Sequence, residues 1–349
     1  MSSSSESPRV IKVGTRDSQL AMIQTNFIVC KLKKLQPELS VELVSMKTIG
    51  DEVLDKALPK IGETNLFTKE LELALAAGKV DFLVHSLKDL PSLLPEGMGL
   101  AAIYCRDDPR DAVIFHAKHK GASLASLPEG SNIGTSSLRR VAQLKRNFPH
   151  LKFESIRGNL NTRLRKLDEG DKYDAIVLAK AGLDRMGWEE RTDQVLTPKE
   201  CLYAVGQGAL AVELNVSDLK TFELISQLFD FNTTVRCATE RSFLRTLEGG
   251  CSVPVGVHTE LIGDQLTLTG AVLSLDGSEC IQETMTKDIP PMSDKGSGQP
   301  SMGVTSILVP AHMWPAVHAG EELGHALAQS LIKQGANSIL AAARQGTAN

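Results

Sequence analysis

Cationic and hydroxyl side chains crowd one stretch of the 349-residue chain, residues 134–166. Its basic residues stand against a single acid, Glu154. They are Arg139, Arg140, Lys145, Arg146, Lys152, Arg157, Arg163, Arg165 and Lys166. Guanidinium groups bind carboxylates and phosphates through paired hydrogen bonds, so the stretch predicts a site for an organic anion. A solvated basic face is the alternative, although such faces usually mix charges of both signs.

Two strand-to-helix turns carry these residues. Thr135, Ser136 and Ser137 are candidate caps of the first helix, and Gly158 with Asn159 leads into the second. Cations near the start of a helix are locally unfavourable, because the macrodipole is already positive there. A bound anion would reverse that balance, since backbone N–H groups and guanidinium groups would converge on it. We therefore expect both helices to begin at one anion site.

A second candidate is the segment HSLKDLP at residues 85–91, which follows a predicted buried strand. Open α/β sheets keep their ligands at the carboxyl ends of strands. Lys88 and Asp89 are therefore expected beside the anion site. An ordinary surface turn is the alternative.

Three further junctions supply polar groups. Arg16 and Ser18 follow a predicted strand at residues 10–15, and Lys180 with Arg185 follows another at residues 175–178. The segment AVGQGALA at residues 204–211 formally matches a dinucleotide fingerprint, but its glycines precede an apolar run instead of following a strand. It is better explained as a tight turn that returns the chain to the first sheet, with Gln207 directed into a cleft.

Cys251 is distinguished from the other cysteines by its glycine-flanked loop, EGGCSVP. A thiolate in such a loop can bond to carbon electrophiles, whereas a passive thiol is the alternative. The six cysteines are scattered without a CxxC pair, which favours reduced thiols over disulfides or a zinc site. His116 and His119 lie among lysines without other ligands nearby, so we expect no metal.

Length and charge exclude several classes. A chain of this length suits two or three domains, and its net charge of −4 does not suit a general nucleic-acid binder. An RNA-binding protein should also interleave aromatics with the basic residues, and only Phe148 and Phe153 lie nearby. No apolar run approaches a membrane span, and the N-terminal MSSSSESPR lacks a secretory core, so we expect a cytosolic protein.

The order of elements predicts an α/β class. A strand–helix–strand opening favours a parallel sheet, with Leu20, Ile23, Phe27 and Leu35 on the apolar side of the first helix. Residues 47–65 are a candidate lid, and residues 290–320 are expected to form a long, partly mobile loop. We predict three domains: residues 1–106 with 206–229, residues 107–205, and residues 230–349, the last α+β.

Together these motifs resemble the porphobilinogen deaminase family. The matching segments follow the family's order over nearly the whole chain, and the 290–320 insertion resembles animal members. The segments are VGTRDSQLA, GDEVLDKAL, LFTKELE, DFLVHSLKDLP, GTSSLRR, IRGNLNTRLRKL, AGLDRMG, YAVGQGALAVE and ER-FLR-LEGGCSVPVG. Family members commonly carry a basic residue where this chain has Thr64, so a lid contact to substrate there is in doubt.

The resemblance implies a fold and an activity. The fold has two periplasmic-binding-protein-like domains with a cleft between them, and a smaller α+β domain with an antiparallel sheet. The activity is a transferase of haem biosynthesis that joins four porphobilinogens head to tail, releasing ammonia, to give hydroxymethylbilane. A dipyrromethane cofactor is implied on Cys251 through a thioether, in a protein expected to be a monomer. A pure polyanion-binding protein, the rival, would have no use for Cys251.

The resemblance also implies residue roles. Asp89 corresponds to the catalytic carboxylate, which would stabilise the azafulvene cation and transfer protons. Lys88, Arg16 and Arg157 complete the catalytic set. Substrate binding is implied for Arg16, Ser18, Gln24, Arg157 and Arg163. The cofactor-binding set is Cys251, Ser86, Lys88, Asp89, Thr135, Ser136, Ser137, Arg139, Arg140, Gly158, Arg163, Arg185 and Gln207.

Overall fold

The computed structural model describes residues 9–48, 68–247, 253–292 and 299–348. Most of the predicted lid, including Thr64, lies outside the described residues, as does Cys251. The predictions for Thr64 and Cys251 are therefore not examined by the structure. Within the described part of the chain, no helix is both long and apolar enough to cross a membrane.

The first sheet has the strand order β2-β1-β3-β10-β4. Its elements are β1 (Val10–Arg16), α1 (Gln19–Leu35), β2 (Ser40–Met46), α2 (Lys69–Ala76), β3 (Phe82–Ser86), β4 (Met98–Tyr104) and β10 (Leu210–Asn215). Strand β1 pairs in parallel with β2 and β3, which confirms the predicted opening. Strand β10 lies antiparallel between β3 and β4, so the sheet is mixed.

The turn before β10 confirms that residues 204–211 return the chain to the first sheet. Gly206 and Gly208 have φ of 71° and 89°, in the left-handed region that favours glycine. A Cβ at Gly208 would also lie 2.5 Å from the Asp107 carbonyl oxygen. These glycines therefore serve a close backbone crossing.

The predicted apolar face of α1 was wrong. The helix buries Thr25, Ile28 and Leu32, whereas Phe27 and Leu35 are exposed. The buried positions keep helical spacing on a different side of the helix. A buried threonine belongs to this side, because the Thr25 hydroxyl donates to Thr15 Oγ1 at 2.7 Å.

The second sheet has the strand order β7-β6-β8-β5-β9. Its elements are β5 (Asp111–Phe115), β6 (Asn132–Gly134), α3 (Leu138–Asn147), β7 (Lys152–Glu154), α4 (Leu160–Asp168), β8 (Ala175–Ala179), α5 (Lys180–Arg185) and β9 (Gln194–Val195). Strand β6 is parallel to β7 and β8, so the turns that follow these strands meet at one edge. Strand β5 is antiparallel to β8. The two predicted strand-to-helix turns are confirmed.

The third unit is α+β, as predicted. Its elements are α7 (Phe231–Thr246), β11 (Val255–Ile262), β12 (Gln265–Leu273), β13 (Cys280–Asp288), β14 (Ser301–Met302), β15 (Leu308–Val309), α8 (Trp314–Lys333) and α9 (Ala336–Ala348). The preceding helix, α6 (Leu219–Ser226), packs on the first sheet, where Phe222 and Ile225 share a core with Val13. Strands β11, β12 and β13 form an antiparallel sheet. Helices α7 and α8 pack closely together, because a Cβ atom at Gly324 would clash with the Thr239 carbonyl oxygen.

The described part of residues 290–320 corrects the prediction of a long loop. Strands β14 and β15 pair as a short hairpin, and α8 begins at Trp314, within the predicted loop. Between the strands, Thr305 is fully buried and donates from its hydroxyl to Glu321 at 2.6 Å. Pro315 lies in the first turn of α8, where the N–H that proline lacks would have no partner within the helix. Proline in this composition therefore marks a helix start.

Candidate functional site

The carboxyl end of β3 brings polar groups of the first sheet together. Gln24, buried on α1, donates through Nε2 to Ser86 Oγ at 2.9 Å. Arg16 is the last residue of β1, and Ser18 caps α1 by accepting the Ala21 N–H at 3.4 Å. Since β1 and β3 are neighbouring parallel strands, their carboxyl ends share one edge. The predicted substrate residues of this sheet therefore lie at a common edge.

Lys88 and Asp89 lie in a 3₁₀ turn directly after β3. The Lys88 ammonium contacts Gln207 Oε1 at 3.5 Å. Burial lowers the pKa of Lys88 to about 8; the charge of Asp89 opposes this shift, and Arg140 adds to it. Gln207 Nε2 in turn donates to Asp111 of β5 at 2.8 Å, so the turn after β3 lies beside the second sheet. Asp89 itself is exposed.

Arg157 and Arg163 stand at the start of α4. The helix is capped by Asn159, whose Oδ1 accepts the Thr162 N–H at 2.9 Å, and Arg163 donates through Nε to the Gly158 carbonyl at 2.8 Å. Burial lowers the pKa of Arg163 to about 10; Arg140 and Arg157 lower it further, and Asp89 opposes them. Among the described residues, neither Arg157 nor Arg163 forms a direct ion pair.

The hydroxyls before α3 do not all act as caps. Ser137 is the cap, since its Oγ accepts the Arg140 N–H at 3.4 Å. Thr135 is buried and accepts the Ser137 N–H, whereas Ser136 donates to the Ile156 carbonyl and contacts Ser155 Oγ at 3.1 Å. Ser136 therefore ties the turn after β6 to the turn after β7.

Arg139 and Arg140 bind a carboxylate of the chain itself. Arg139 Nη1 donates to Asp111 Oδ2 at 2.6 Å, and Arg140 Nη2 donates to Asp111 Oδ1 at 2.8 Å. Both arginines are 6% exposed and Asp111 is fully buried. Burial opposes ionisation of Asp111, yet the two guanidinium groups hold the pKa of its carboxyl far below the ordinary range. The anion inferred from their place at a helix start is therefore, for this pair, Asp111.

Arg185 and Gln207 lie where the chain crosses between the sheets. Arg185 donates through Nε to Asp107 at 2.8 Å and through Nη2 to the Gly208 carbonyl at 2.6 Å. Gln207 donates through Nε2 to Asp111 Oδ1 at 2.8 Å while its Oε1 faces Lys88. The predicted cofactor contacts of Arg185 and Gln207 stay predictions, because the contacts described here are within the protein.

Comparison with known proteins identifies the family. Residues 11–223 match the porphobilinogen deaminase dipyromethane cofactor binding domain, and residues 234–297 match the porphobilinogen deaminase C-terminal domain. The porphobilinogen deaminase of Synechococcus elongatus is 47% identical over 332 residues, which cover 95% of each chain. That of Gloeobacter violaceus is 55% identical over 271 residues, covering 77% of this chain and 82% of its own.

The chain belongs to the porphobilinogen deaminase family. Membership identifies an enzyme, a transferase of tetrapyrrole biosynthesis with a dipyrromethane cofactor. Among solved structures, the periplasmic aliphatic sulphonate binding protein SsuA from Escherichia coli matches with a TM-score of 0.39 and 12% identity, covering 69% of this chain and 71% of its own.

The donor set fits the cofactor of this family. Burial and the charges of Arg140 and Arg139 lower the pKa of Lys88, and burial and the charges of Arg140 and Arg157 lower the pKa of Arg163. Such cations are stabilised by added anions, and a dipyrromethane carries carboxylates. Among the described residues, no cluster of histidine, cysteine, aspartate and glutamate suits a metal ion.

Two buried acids were not identified from the sequence. Each of them binds a residue in a segment where the chain passes from one α/β sheet to the other. One is Asp111; the other is Glu240, which pairs with Arg106 through two bonds of 2.6 and 2.9 Å. A signal was present for Asp111, because an acid opens an otherwise apolar strand, DAVIF. Such an acid needs a buried cation as its partner. No comparable strand pattern marks Glu240, which lies within α7.

Proposed function

We propose that the cleft between the two α/β sheets joins four porphobilinogens head to tail, with loss of one ammonia at each condensation, and that water then releases the tetrapyrrole as hydroxymethylbilane. One observation carries the assignment of roles. An exposed carboxylate, Asp89, lies within the electrostatic reach of Arg163, which forms no direct ion pair among the described residues. Arg163 can therefore bind a carboxylate of the substrate, and Asp89 can stabilise the positive charge that develops at the reacting carbon.

Asp89 is the proposed catalytic carboxylate. When the amino group of the aminomethyl substituent of porphobilinogen leaves as ammonia, the methylene carbon stays on the ring and becomes part of an azafulvene cation. A fixed carboxylate beside the ring stabilises that cation, and it can accept a hydrogen bond from the pyrrole N–H. In its protonated form the same side chain can give a proton to the leaving amine, and the carboxylate that results can then take up the ring proton. Lys88, next to Asp89 in the turn, would bind a substrate carboxylate through its ammonium.

The acetate and propionate groups of each porphobilinogen give the other residues their proposed roles. Arg157 and Arg163 supply guanidinium groups from the second sheet, and Arg16 supplies one from the first. Ser18 and Gln24 line the edge near Arg16. In this proposal, substrate carboxylates lie on both sides of the cleft and the reacting carbon is directed to Asp89.

Cys251 is the proposed attachment point of the dipyrromethane. When bound, the cofactor supplies the pyrrole carbon to which the first substrate is joined. Lys88 and Arg163 would hold its carboxylates directly, in support of which their pKa values are lowered by burial and by neighbouring cations. Further proposed contacts come from Ser86, Asp89, Thr135, Ser136, Ser137, Arg139, Arg140, Gly158, Arg185 and Gln207.

We also infer an organisation for the whole chain. Each of the three large sheets draws its strands from one predicted range, in support of domains at residues 1–106 with 206–229, 107–205, and 230–349. We also propose that the protein is a monomer. Scattered cysteines favour the cytosol. The animal-type assignment rests on residues 290–320 alone, since the relatives named above are cyanobacterial.

The test is the intact mass of the denatured protein, followed by product analysis. We expect an excess mass equal to two linked pyrrole units, lost in Cys251→Ser and kept in Cys30→Ser, a matched control because Cys30 is exposed. Adding porphobilinogen should then release one ammonia for each unit joined. An unmodified mass after incubation with porphobilinogen, together with no ammonia release, would overturn the proposal.

A further inference from the structure

Asp111 is the centre of a buried network where the two sheets meet. Its carboxylate accepts four hydrogen bonds from Arg139 and Arg140, at 2.6 to 3.3 Å. It also accepts one from Gln207 Nε2 at 2.8 Å and lies 3.5 Å from Cys201 Sγ. Asp111 opens β5, the arginines begin α3, and Gln207 belongs to the turn before β10. One carboxylate thus contacts both segments that cross between the sheets.

The network continues to the turn after β3. Gln207 donates to Asp111 through its amide nitrogen, and its amide oxygen faces the Lys88 ammonium at 3.5 Å. The orientation of the Gln207 amide is fixed by the donor bonds to Asp111 and to the Pro109 carbonyl at 2.7 Å. The oxygen is therefore kept toward Lys88.

The same carboxylate balances the charges around Lys88. The charged groups that act on Lys88 are Asp89 in its own turn, Arg139 and Arg140 on α3, and Asp111 on β5. The two arginines lower the pKa of Lys88, whereas Asp89 and Asp111 raise it. Without Asp111, two buried guanidinium groups would lose their shared anion beside an ammonium.

We propose that Asp111 is a positioning residue for the condensation, which holds the Arg139–Arg140 pair and, through Gln207, fixes the place of Lys88. The proposal rests on the function proposed above, in which the Lys88 ammonium binds a substrate carboxylate. Asp111 itself is fully buried and acts through these partners.

The first experiment compares Asp111→Asn with Asp108→Asn. The control removes an acid three residues away that pairs with Arg110 at the surface. For Asp111→Asn we expect kcat to fall about 100-fold, since small misplacements of binding groups cost this much. We also expect the alkaline limb of the pH–kcat profile to move to lower pH, because loss of Asp111 lowers the pKa of Lys88. Asp108→Asn should match the wild type in both.

A second variant removes the connection and keeps the buried charges. Gln207→Met leaves Asp111 bound to both arginines but takes away the oxygen that faces Lys88. We expect kcat to fall about 10-fold, in line with the loss of one hydrogen bond to a charged group. Its alkaline limb should move in the same direction. This variant decides the matter if Asp111→Asn fails to fold.

The outcomes separate this proposal from the function. A folded Asp111→Asn, or a folded Gln207→Met, with wild-type kcat and an unmoved alkaline limb overturns the proposal and leaves the proposed function intact. A fall in kcat with an unmoved limb also overturns it, because a merely structural role would have that effect. Failure of the wild type to condense porphobilinogen would instead remove the function on which it rests.

Discussion

Two arginine pairs in the second sheet follow the same sequence pattern and have different environments. Arg139–Arg140 and Arg157–Arg163 each lie at the start of a helix after a strand, and each helix is capped, by Ser137 and Asn159. The first pair is buried on Asp111. In the second pair, neither arginine forms a direct ion pair among the described residues, and both are only half-buried.

The difference teaches that an arginine at a helix start predicts an anion without saying whose anion it is. For Arg139 and Arg140 the anion is a side chain of the protein, so their removal should act first on stability. For Arg157 and Arg163 the anion must come from outside, so their removal should act first on substrate binding. The following variants test that division, from the largest expected effect to the smallest.

Asp89→Asn should have the largest effect on turnover. Asp89 is the carboxylate whose charge acts on Arg163, and Arg163 forms no direct ion pair among the described residues. Loss of a general acid–base group costs roughly 100-fold to 10,000-fold in kcat. Because Asp89 is exposed, we expect an unchanged free energy of unfolding. Single-turnover ammonia release measures the first quantity, and urea unfolding measures the second. Normal turnover by the folded variant would remove Asp89 from its role.

Arg139→Gln should reduce stability strongly. It leaves the fully buried Asp111 with one guanidinium instead of two, and breaking a buried ion pair costs about 3–5 kcal/mol. We expect turnover to be lost through this unfolding. Urea unfolding of the variant, beside the surface control Arg110→Gln, gives the free-energy difference. Equal stability of the two variants would show that Asp111 does not need both arginines.

Arg163→Gln should separate binding from stability. Loss of a charged hydrogen-bond donor to a carboxylate should lower kcat/KM by about 10-fold to 100-fold. The free energy of unfolding should stay equal or rise, because burial and neighbouring cations already lower the pKa of Arg163. Steady-state kinetics with porphobilinogen and urea unfolding, run on one preparation, check both parts. A large loss of stability would place Arg163 with the buried pair.

The smallest effect is expected from acid pH, which tests whether ionised Asp111 stabilises the protein as the partner of Arg139 and Arg140. The pKa of Asp111 is far lower in the folded protein than the ordinary value of about 3.9, so its stabilising contribution is fully present above that value. It is lost as the pH falls below that value and through the folded-state pKa. The stability difference between wild type and Asp111→Asn should therefore narrow only in strong acid. A difference that already narrows near neutral pH would contradict this assignment.

Local pattern was sufficient for most of the elements. Strands β1, β3 and β8 were predicted because apolar patterns and the polar turns that follow them act over a few residues. It failed for α1, where Phe27 and Leu35 were predicted on the apolar side of the helix and are exposed. It also failed for residues 299–320, where composition suggested a loop but buried Thr305 binds Glu321.

The sequence by itself determined the family, the strand-to-helix turns and the position of Lys88 and Asp89 after a buried strand, because these signals lie in contiguous segments. The tertiary structure alone decided which arginines already bind an anion of the protein itself. Asp111 precedes Arg139 by 28 residues and Gln207 follows Asp111 by 96. No local pattern reports a pairing at that separation, so only the folding of both crossings onto one carboxylate distinguishes the two arginine pairs.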